Sequence, residues 1–417
     1  MKRIVYILLL LLCFFNIGYV NADSLDKAYD YTYEEINVDL ASKYVILYNL
    51  KDNYKLLDIK SSERVQVASL TKIMTCIVAI ENINNLDEKI SINSNVFSGI
   101  SEYSKAGFNI GDKVTYRDLL YGAMLPSGAD AVNALVLNIS GSEEEFTKLM
   151  NNKVKELKLD NTHFDNAIGK DSKDNYSSAY DLAVILNYAL NNNTFKEIFT
   201  SRKYTTSNGL VLESTLGMYG RNINVDMIKG SKSGYTDSAG VCLASYANVG
   251  DVDYLLIVLG ANYNNRSNAV RDSVDIYNYL DKNYGYKILL NKDKVVKRLK
   301  IIWGKKKTYD VRVSEDVNEY VKNTIDVNKL KYEYKGINNI KYGIKKGDKL
   351  GSVEILYNDK YIDSVYVYLN EDLKFYHPVI YSIMFISFVV MFLSFVKIIK
   401  RRKKKKKRKD KRRWLKK

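Results

Sequence analysis

Residues 67–75 read Val-Ala-Ser-Leu-Thr-Lys-Ile-Met-Thr, with a serine three positions ahead of a lysine at the start of an apolar run. Spacing i, i+3 places two side chains on one helix face, one turn apart. Leu70, Ile73, Met74, Ile77, Val78 and Glu81 follow at helical intervals, with the apolar residues on one face. Ser69 would open that helix, where backbone N–H groups and the helix dipole favour a developing oxyanion. The apolar body would desolvate Lys72 and lower its pKa, and a neutral lysine can take the proton of a serine hydroxyl. On these residues alone two readings stand level: a nucleophile with its base, or two polar residues opening a buried helix. Ser-x-x-Lys also occurs at Ser24/Lys27 and at Ser394/Lys397, so the pattern by itself decides nothing.

The rest of the composition narrows the chemistry. A chain of 417 residues, 46% apolar, has room for two or three domains and a substantial core. Its net charge of +16 is concentrated at the ends. Residues 397–417 hold 16 Lys/Arg against one Asp, and Lys2 and Arg3 add two more, which leaves residues 4–396 at −1. A near-neutral body with a basic tail gives no compositional support for nucleic-acid binding. There are two histidines, His163 in Asn-Thr-His-Phe and His377 beside an apolar segment. No metal and no cofactor is therefore expected, because a zinc site needs denser His/Cys/carboxylate clustering. A Ser-His-Asp hydrolase would depend on His163 and has no G-x-S-x-G elbow here. If the chain is a hydrolase, its base is not expected to be histidine.

Both ends carry membrane-related signals. Lys2 and Arg3 precede an apolar stretch from Ile4 to Phe15, and Val20-Asn-Ala22 offers small residues for cleavage. A secretory signal peptide over 1–22 is expected, the alternative being an uncleaved anchor helix. Cys13 lies inside this stretch; Cys76 and Cys242 sit in apolar surroundings and are expected as buried free thiols. Residues 379–396 run 18 positions without a charge, just enough for a hydrocarbon layer about 30 Å thick. The basic tail over 397–417 follows at once and should stay cytoplasmic, which puts everything before it outside the cell. Anionic lipid is the expected partner of that tail.

Along the body, Ala41–Tyr48 reads as a strand and Asp181–Leu190 as a helix. Residues 117–139 give two apolar helical runs broken at Pro126-Ser127-Gly128, and Val241–Val249 with Val252–Leu259 form a hairpin around Gly250-Asp251. After Gly285 short alternating segments take over, at 295–303, 309–313, 329–334, 351–357 and 364–369. They predict a small all-β domain over 286–375, after a main domain over 23–285.

Two later motifs separate the readings of Ser69. Leu-Pro-Ser-Gly-Ala-Asp-Ala at 125–131 places Ser127 58 residues after Ser69, and Gly-Ser-Lys-Ser-Gly-Tyr-Thr-Asp at 230–237 places Lys232 105 residues further on. S-x-x-K, then S-D-N, then K-T-G is the ordered set of the active-site serine penicillin-recognising enzymes. With these motifs the chain resembles the low-molecular-mass penicillin-binding proteins of the serine-type D-alanyl-D-alanine carboxypeptidase family, from about residue 36 to the C-terminus. The segments 111–135, NYSSAYDLA at 175–183 and KKGDKLGSVEI at 345–355 take part in the likeness. It implies an α+β fold: a β-lactamase-like catalytic domain of antiparallel sheet plus helical cluster, then a small all-β domain and a C-terminal transmembrane helix. It implies removal of the terminal D-alanine from peptidoglycan stem pentapeptides and covalent capture of β-lactams.

The resemblance also implies roles. Ser69 is the acylated nucleophile, Lys72 its base, and Ser127 the relay of a proton to the leaving D-alanine. Lys232 is the third-motif cation, which helps keep Lys72 neutral and orients the substrate carboxylate. Ser233 stands where Thr is usual and keeps a hydroxyl. Gly234 lets the strand edge approach the substrate. The N–H groups of Ser69 and Tyr235 form the oxyanion hole. Arg266 is either a carboxylate-pocket residue or a solvated surface arginine. One position departs from the pattern: Ala129 stands where the second motif has Asn. Losing that hydrogen bond costs on the order of 1–3 kcal/mol, or roughly ten- to a hundredfold in rate. The alternatives to a carboxypeptidase are a weakened or inactive wall- or β-lactam-binding homologue and a β-lactamase.

Overall fold

The computed structural model describes residues 36–376 and 378–414, which fall into two compact units divided after Gly285. The expected signal peptide, Cys13, Ser24/Lys27 and His377 lie outside the described residues.

The first unit is built on β1 (Tyr44–Asn49), β2 (Tyr54–Ile59), two small antiparallel pairs β3 (Lys89–Ser91)/β4 (Lys113–Thr115) and β5 (Lys203–Thr205)/β6 (Val211–Glu213), then β7 (Ile228–Thr236), β8 (Gly240–Val249) and β9 (Val252–Ala261). The main sheet is antiparallel in the order β2-β1-β9-β8-β7, so β7 is an edge strand. The β8–β9 hairpin turns at Gly250-Asp251, as its alternation predicts. The helices are α1 (Thr71–Asn82), α2 (Tyr116–Met124), α3 (Ala129–Ser140), α4 (Glu143–Glu156), α5 (Ala179–Leu190), α6 (Asn193–Thr200), α7 (Thr215–Tyr219) and α8 (Asn268–Asn283). Helix starts follow side-chain caps: Thr115 and Asp118 form a capping box for α2, and Ser142 and Ser178 cap α4 and α5.

Two expectations shift. The strand read from Ala41 begins at Tyr44, because the Asp272 carboxylate accepts the N–H groups of Ala41 and Ser42 at 3.1 and 2.8 Å and draws them out of the sheet. Helix α1, read as one-faced, is buried all round from Thr71 to Ala79 and packs against α2 to α6. Its polar residues tolerate burial because they have partners; Thr75 Oγ1, for example, donates to the Ala167 carbonyl at 2.7 Å.

The second unit takes up most of β10 (Tyr284–Leu290) and contains β11 (Lys297–Ile301), β12 (Thr308–Val311), β13 (Val317–Lys322), β14 (Lys331–Gly336), β15 (Asn339–Ile340), β16 (Lys349–Tyr357) and β17 (Lys360–Tyr368). They form sheets β10-β13, β12-β11-β15 and β14-β16-β17 over a core that includes Leu299, Val311, Val321, Val353 and Ile355. Helix α9 (Pro378–Trp414) follows, and residues 380–412 are long and apolar enough to cross a membrane by length and composition. The helix does not stop where the apolar run ends. Lys and Arg are good helix formers, and no Gly or Pro interrupts 397–414.

Candidate active site

Ser69 sits on a single 3-10 turn, Ala68–Leu70, that leads directly into α1. The turn is strained at its entry, with Ala68 at φ +48, a region that L residues rarely adopt. Two glycine backbones close on it. A Cβ on Gly169 would overlap the Ala68 carbonyl, and one on Gly234 would meet Ser69 N at 3.0 Å. Gly169 is further restricted by φ +84. Gly169→Ala should therefore push the Ala68–Ser69 peptide out of place. A lower melting temperature is the expected outcome; a variant melting with the parent would contradict this packing.

Lys72 is 1% exposed, and its Nζ donates to Ser69 Oγ and to the Ile168 carbonyl, both at 2.8 Å. Burial pushes its ammonium down to about 7, against an opposing pull from Cys76 and Asp130. Lys232 on β7 is fully buried, and its Nζ donates to the Ser233 carbonyl at 2.7 Å. Burial holds it well below the ordinary lysine range, and the nearby Lys72 cation adds to this. Each buried ammonium thus disfavours the charged form of a neighbour, and burial is the larger cause at both lysines. The Cys76 thiol lies near both lysines, and burial raises it to about 12. Cys76 and Cys242 are buried and free, as their apolar surroundings predict.

Ser127 lies in the break between α2 and α3, two helices packed on α1, and is 6% exposed with φ +63. A left-handed serine in a buried turn is the kind of strain that concentrates at functional sites. Ala129 opens α3 with its side chain buried, and its N–H donates to the Ser104 carbonyl at 2.7 Å. Lys72 has its two acceptors without any help from position 129. Asp130 beside it is buried and accepts the N–H groups of Ala106, Gly107 and Phe108 at 2.7, 3.0 and 3.2 Å, tying segment 104–108 to the second motif.

On β7, Ser233 Oγ is 2.7 Å from Thr215 Oγ1 at the start of α7. Gly234 meets the Ser69 turn, and the Tyr235 hydroxyl donates to Asp237 at 2.6 Å. Arg266 is exposed, outside the buried cluster, with its guanidinium 4.8 Å from the centre of the Tyr235 ring. The Ile168 carbonyl, Gly169 and Thr215 carry no sequence pattern that marks them; each joins the cluster through contacts distant in the chain. His163 is exposed, and its Nδ1 lies 2.6 Å from the Asp174 carbonyl, away from this cluster.

The arrangement presents a serine hydroxyl to a buried amine of lowered basicity, beside an open strand edge. Such a pair suits attack on an acyl carbon by an activated serine. Residues 31–263 match the D-alanyl-D-alanine carboxypeptidase family, and residues 284–374 match the C-terminal domain of penicillin-binding protein 5. This chain belongs to the D-alanyl-D-alanine carboxypeptidase family. D-alanyl-D-alanine carboxypeptidase DacF of Bacillus subtilis is 31% identical over 78% of this chain and 84% of its own. DacD of Escherichia coli is 29% identical over 71% of this chain and 77% of its own. In structure, DacD of Francisella tularensis covers 86% of this chain and 100% of its own at TM-score 0.62 and 23% identity, a likeness of fold. The Streptomyces K15 DD-transpeptidase covers 58% of this chain and 98% of its own at TM-score 0.53 and 30% identity. The α+β carboxypeptidase-family fold, with an all-β domain and an apolar C-terminal helix, is therefore the one expected from the motifs.

Proposed function

We propose that this carboxypeptidase-family protein removes the terminal D-alanine from peptidoglycan stem pentapeptides through an acyl-enzyme on Ser69, and that β-lactams are captured at the same oxygen. The observation that carries the reading is the 2.8 Å hydrogen bond between Ser69 Oγ and a fully buried Lys72 whose pKa falls to about 7. Neutral Lys72 takes the hydroxyl proton as Ser69 Oγ bonds to the penultimate D-alanine carbonyl carbon. The N–H groups of Ser69 and Tyr235 hold the resulting oxyanion. The C–N bond breaks, and the proton passes through Ser127 to the leaving amine of D-alanine. Water then attacks the ester, its proton returning through Lys72, and frees the shortened peptide. Lys232 and the Ser233 hydroxyl receive the substrate carboxylate, with Arg266 at the rim. That carboxylate favours the charged form of Lys232, and a charged Lys232 favours a neutral Lys72.

Full-length protein in detergent, treated with fluorescent penicillin and with a diacyl-D-Ala-D-Ala peptide, tests this reading. Stable label on Ser69 together with D-alanine release is expected. Absence of label overturns it, label without release points to a binding homologue, and rapid penicillin turnover to a β-lactamase.

We further assign residues 23–285 to the catalytic domain, 286–375 to the small β domain and 379–396 to the bilayer, with a signal peptide over 1–22. Residues 397–417 then lie in the cytoplasm against anionic lipid, and the catalytic domain faces outward. An epitope fused after Lys417 should resist protease added to intact protoplasts while the catalytic domain is digested. Loss of the epitope would reverse the orientation.

A further inference from the structure

Two loops of the second unit meet the chain just before it enters α9. Residues 302–307 read Ile-Trp-Gly-Lys-Lys-Lys, and residues 340–346 read Ile-Lys-Tyr-Gly-Ile-Lys-Lys. The strands that lead into them, β11 and β15, pair in parallel at Ile301 and Ile340, and the Ile302 N–H donates to the Ile340 carbonyl at 2.8 Å. The last residues before α9 then close on the first loop. The Lys305 N–H donates to the Lys374 carbonyl at 2.8 Å, the Tyr376 N–H donates to the Trp303 carbonyl at 2.7 Å, and Gly304 bridges to Phe375. The Phe375 ring meets Tyr342 of the second loop edge-on, with centroids 5.8 Å apart. The assignment of 379–396 to the bilayer, on which this inference rests, sets the height of both loops. At no more than ~3.6 Å per residue, Tyr376 lies within roughly 11 Å of the hydrocarbon, and headgroups fill about 5–8 Å of that interval. Trp303, bonded to Tyr376, therefore stands at the level of the headgroups.

The loops show that layer what it favours. Trp303 is 58% exposed and Tyr342 is 53% exposed, although each could bury a large ring in a core. Trp and Tyr are the residues enriched at membrane–water interfaces. Trp303 also sits at φ +65, a conformation that a bulky residue rarely adopts. Tyr376 and Tyr381, edge-on with centroids 5.7 Å apart, carry the aromatic surface onto α9. Charge adds to this. Over 302–307, 340–348 and 371–376 seven lysines stand against three acids, a balance of +4, and all seven lysines are exposed. Of the acids, Glu371 pairs with Lys306 at 2.6 Å and Asp348 accepts the Lys345 N–H at 2.8 Å; the third is Asp372. A cationic surface that carries interfacial rings complements anionic headgroups. The core of a protein interface, by contrast, is depleted in lysine.

We propose that this edge of the β domain docks on the bilayer surface beside α9, with Trp303 and Tyr342 entering the headgroup layer and the lysines engaging anionic phospholipid. The full chain carrying Trp414→Phe keeps Trp303 as its single tryptophan and tests the proposal by fluorescence. It is placed in nanodiscs of phosphatidylcholine alone or of phosphatidylcholine with phosphatidylglycerol, each with and without phosphatidylcholine brominated near the headgroup. Bromolipid should quench Trp303 about twofold more in the anionic discs, and soluble acrylamide should quench it correspondingly less there. High salt should bring the anionic discs down to the level of the zwitterionic ones. Replacing Lys305, Lys307, Lys341, Lys345 and Lys346 together by Gln should do the same, with circular dichroism unchanged. Equal quenching in the two discs, insensitive to salt, would overturn the assignment. So would a Trp303 that bromolipid leaves untouched and acrylamide reaches freely in both discs, a result that would give this face to a protein or wall polymer. A chain that does not enter the discs at all would overturn the bilayer assignment of 379–396 along with it.

Discussion

Ser69→Ala should abolish covalent penicillin labelling and lower D-alanine release by about 10⁶-fold, the scale on which a serine hydrolase falls when it loses its nucleophile. The loss should fall on catalysis and not on folding. Ser69 is half-buried, and among the described residues its side chain pairs with the Lys72 amine. Removing the oxygen leaves that amine its bond to the Ile168 carbonyl. Circular dichroism and melting temperature should therefore stay close to the parent. Residual labelling of the alanine variant, located by peptide mapping on another residue, would refute Ser69 as the acylated group.

Lys72→Met should lower the acylation rate by about 10³- to 10⁴-fold, near the upper end of what a general base contributes. Stability should move the opposite way. In the folded chain Lys72 titrates near 7, and in the unfolded chain near the ordinary lysine value of about 10.4. Between those values the unfolded chain binds the extra proton, so the parent gains stability as pH rises from about 7 to about 10. Below 7 the folded chain carries the full cost of a buried charge. Methionine removes that cost, so the variant should melt higher than the parent at pH 7 and lose much of the slope above it. Acylation of the parent should rise with pH through about 7 and then level off. An acylation rate unchanged in Lys72→Met, or flat from pH 5 to 9 in the parent, would assign the base elsewhere.

Much of the architecture was legible because it is written in local periods. The 3.6-residue recurrence from Leu70 marks α1, the Pro126-Ser127-Gly128 break separates α2 from α3, and two apolar runs around Gly250-Asp251 give the β8–β9 hairpin. What escaped depends on partners far along the chain. Nothing near Ala41 announces that Asp272, 231 residues away, will take its N–H. Nothing in the α1 pattern shows that its polar face will also be buried, because that face is covered by other helices and by the Ala167 and Ile168 carbonyls. The same limit applies to the site. Three short motifs point to Ser69, Lys72, Ser127 and Lys232, but Thr215 reaches Ser233 from α7, and Asp130 acts through backbone N–H groups that leave no mark in sequence. Ala129 shows the reverse case. The missing amide is obvious in the sequence, whereas the Ile168 carbonyl that gives Lys72 a second acceptor appears only in three dimensions.

The glycine contacts around Ser69 also bear on how this enzyme would fail. The turn that presents the hydroxyl is held by the segments around residues 169 and 234, whose glycines approach it at backbone level. A turn gripped by main chain on the buried helix α1 has no small opening of its own, unlike a site carried on a mobile loop. Catalysis and folding then share one fate: heat should leave each molecule fully active until the whole first unit gives way.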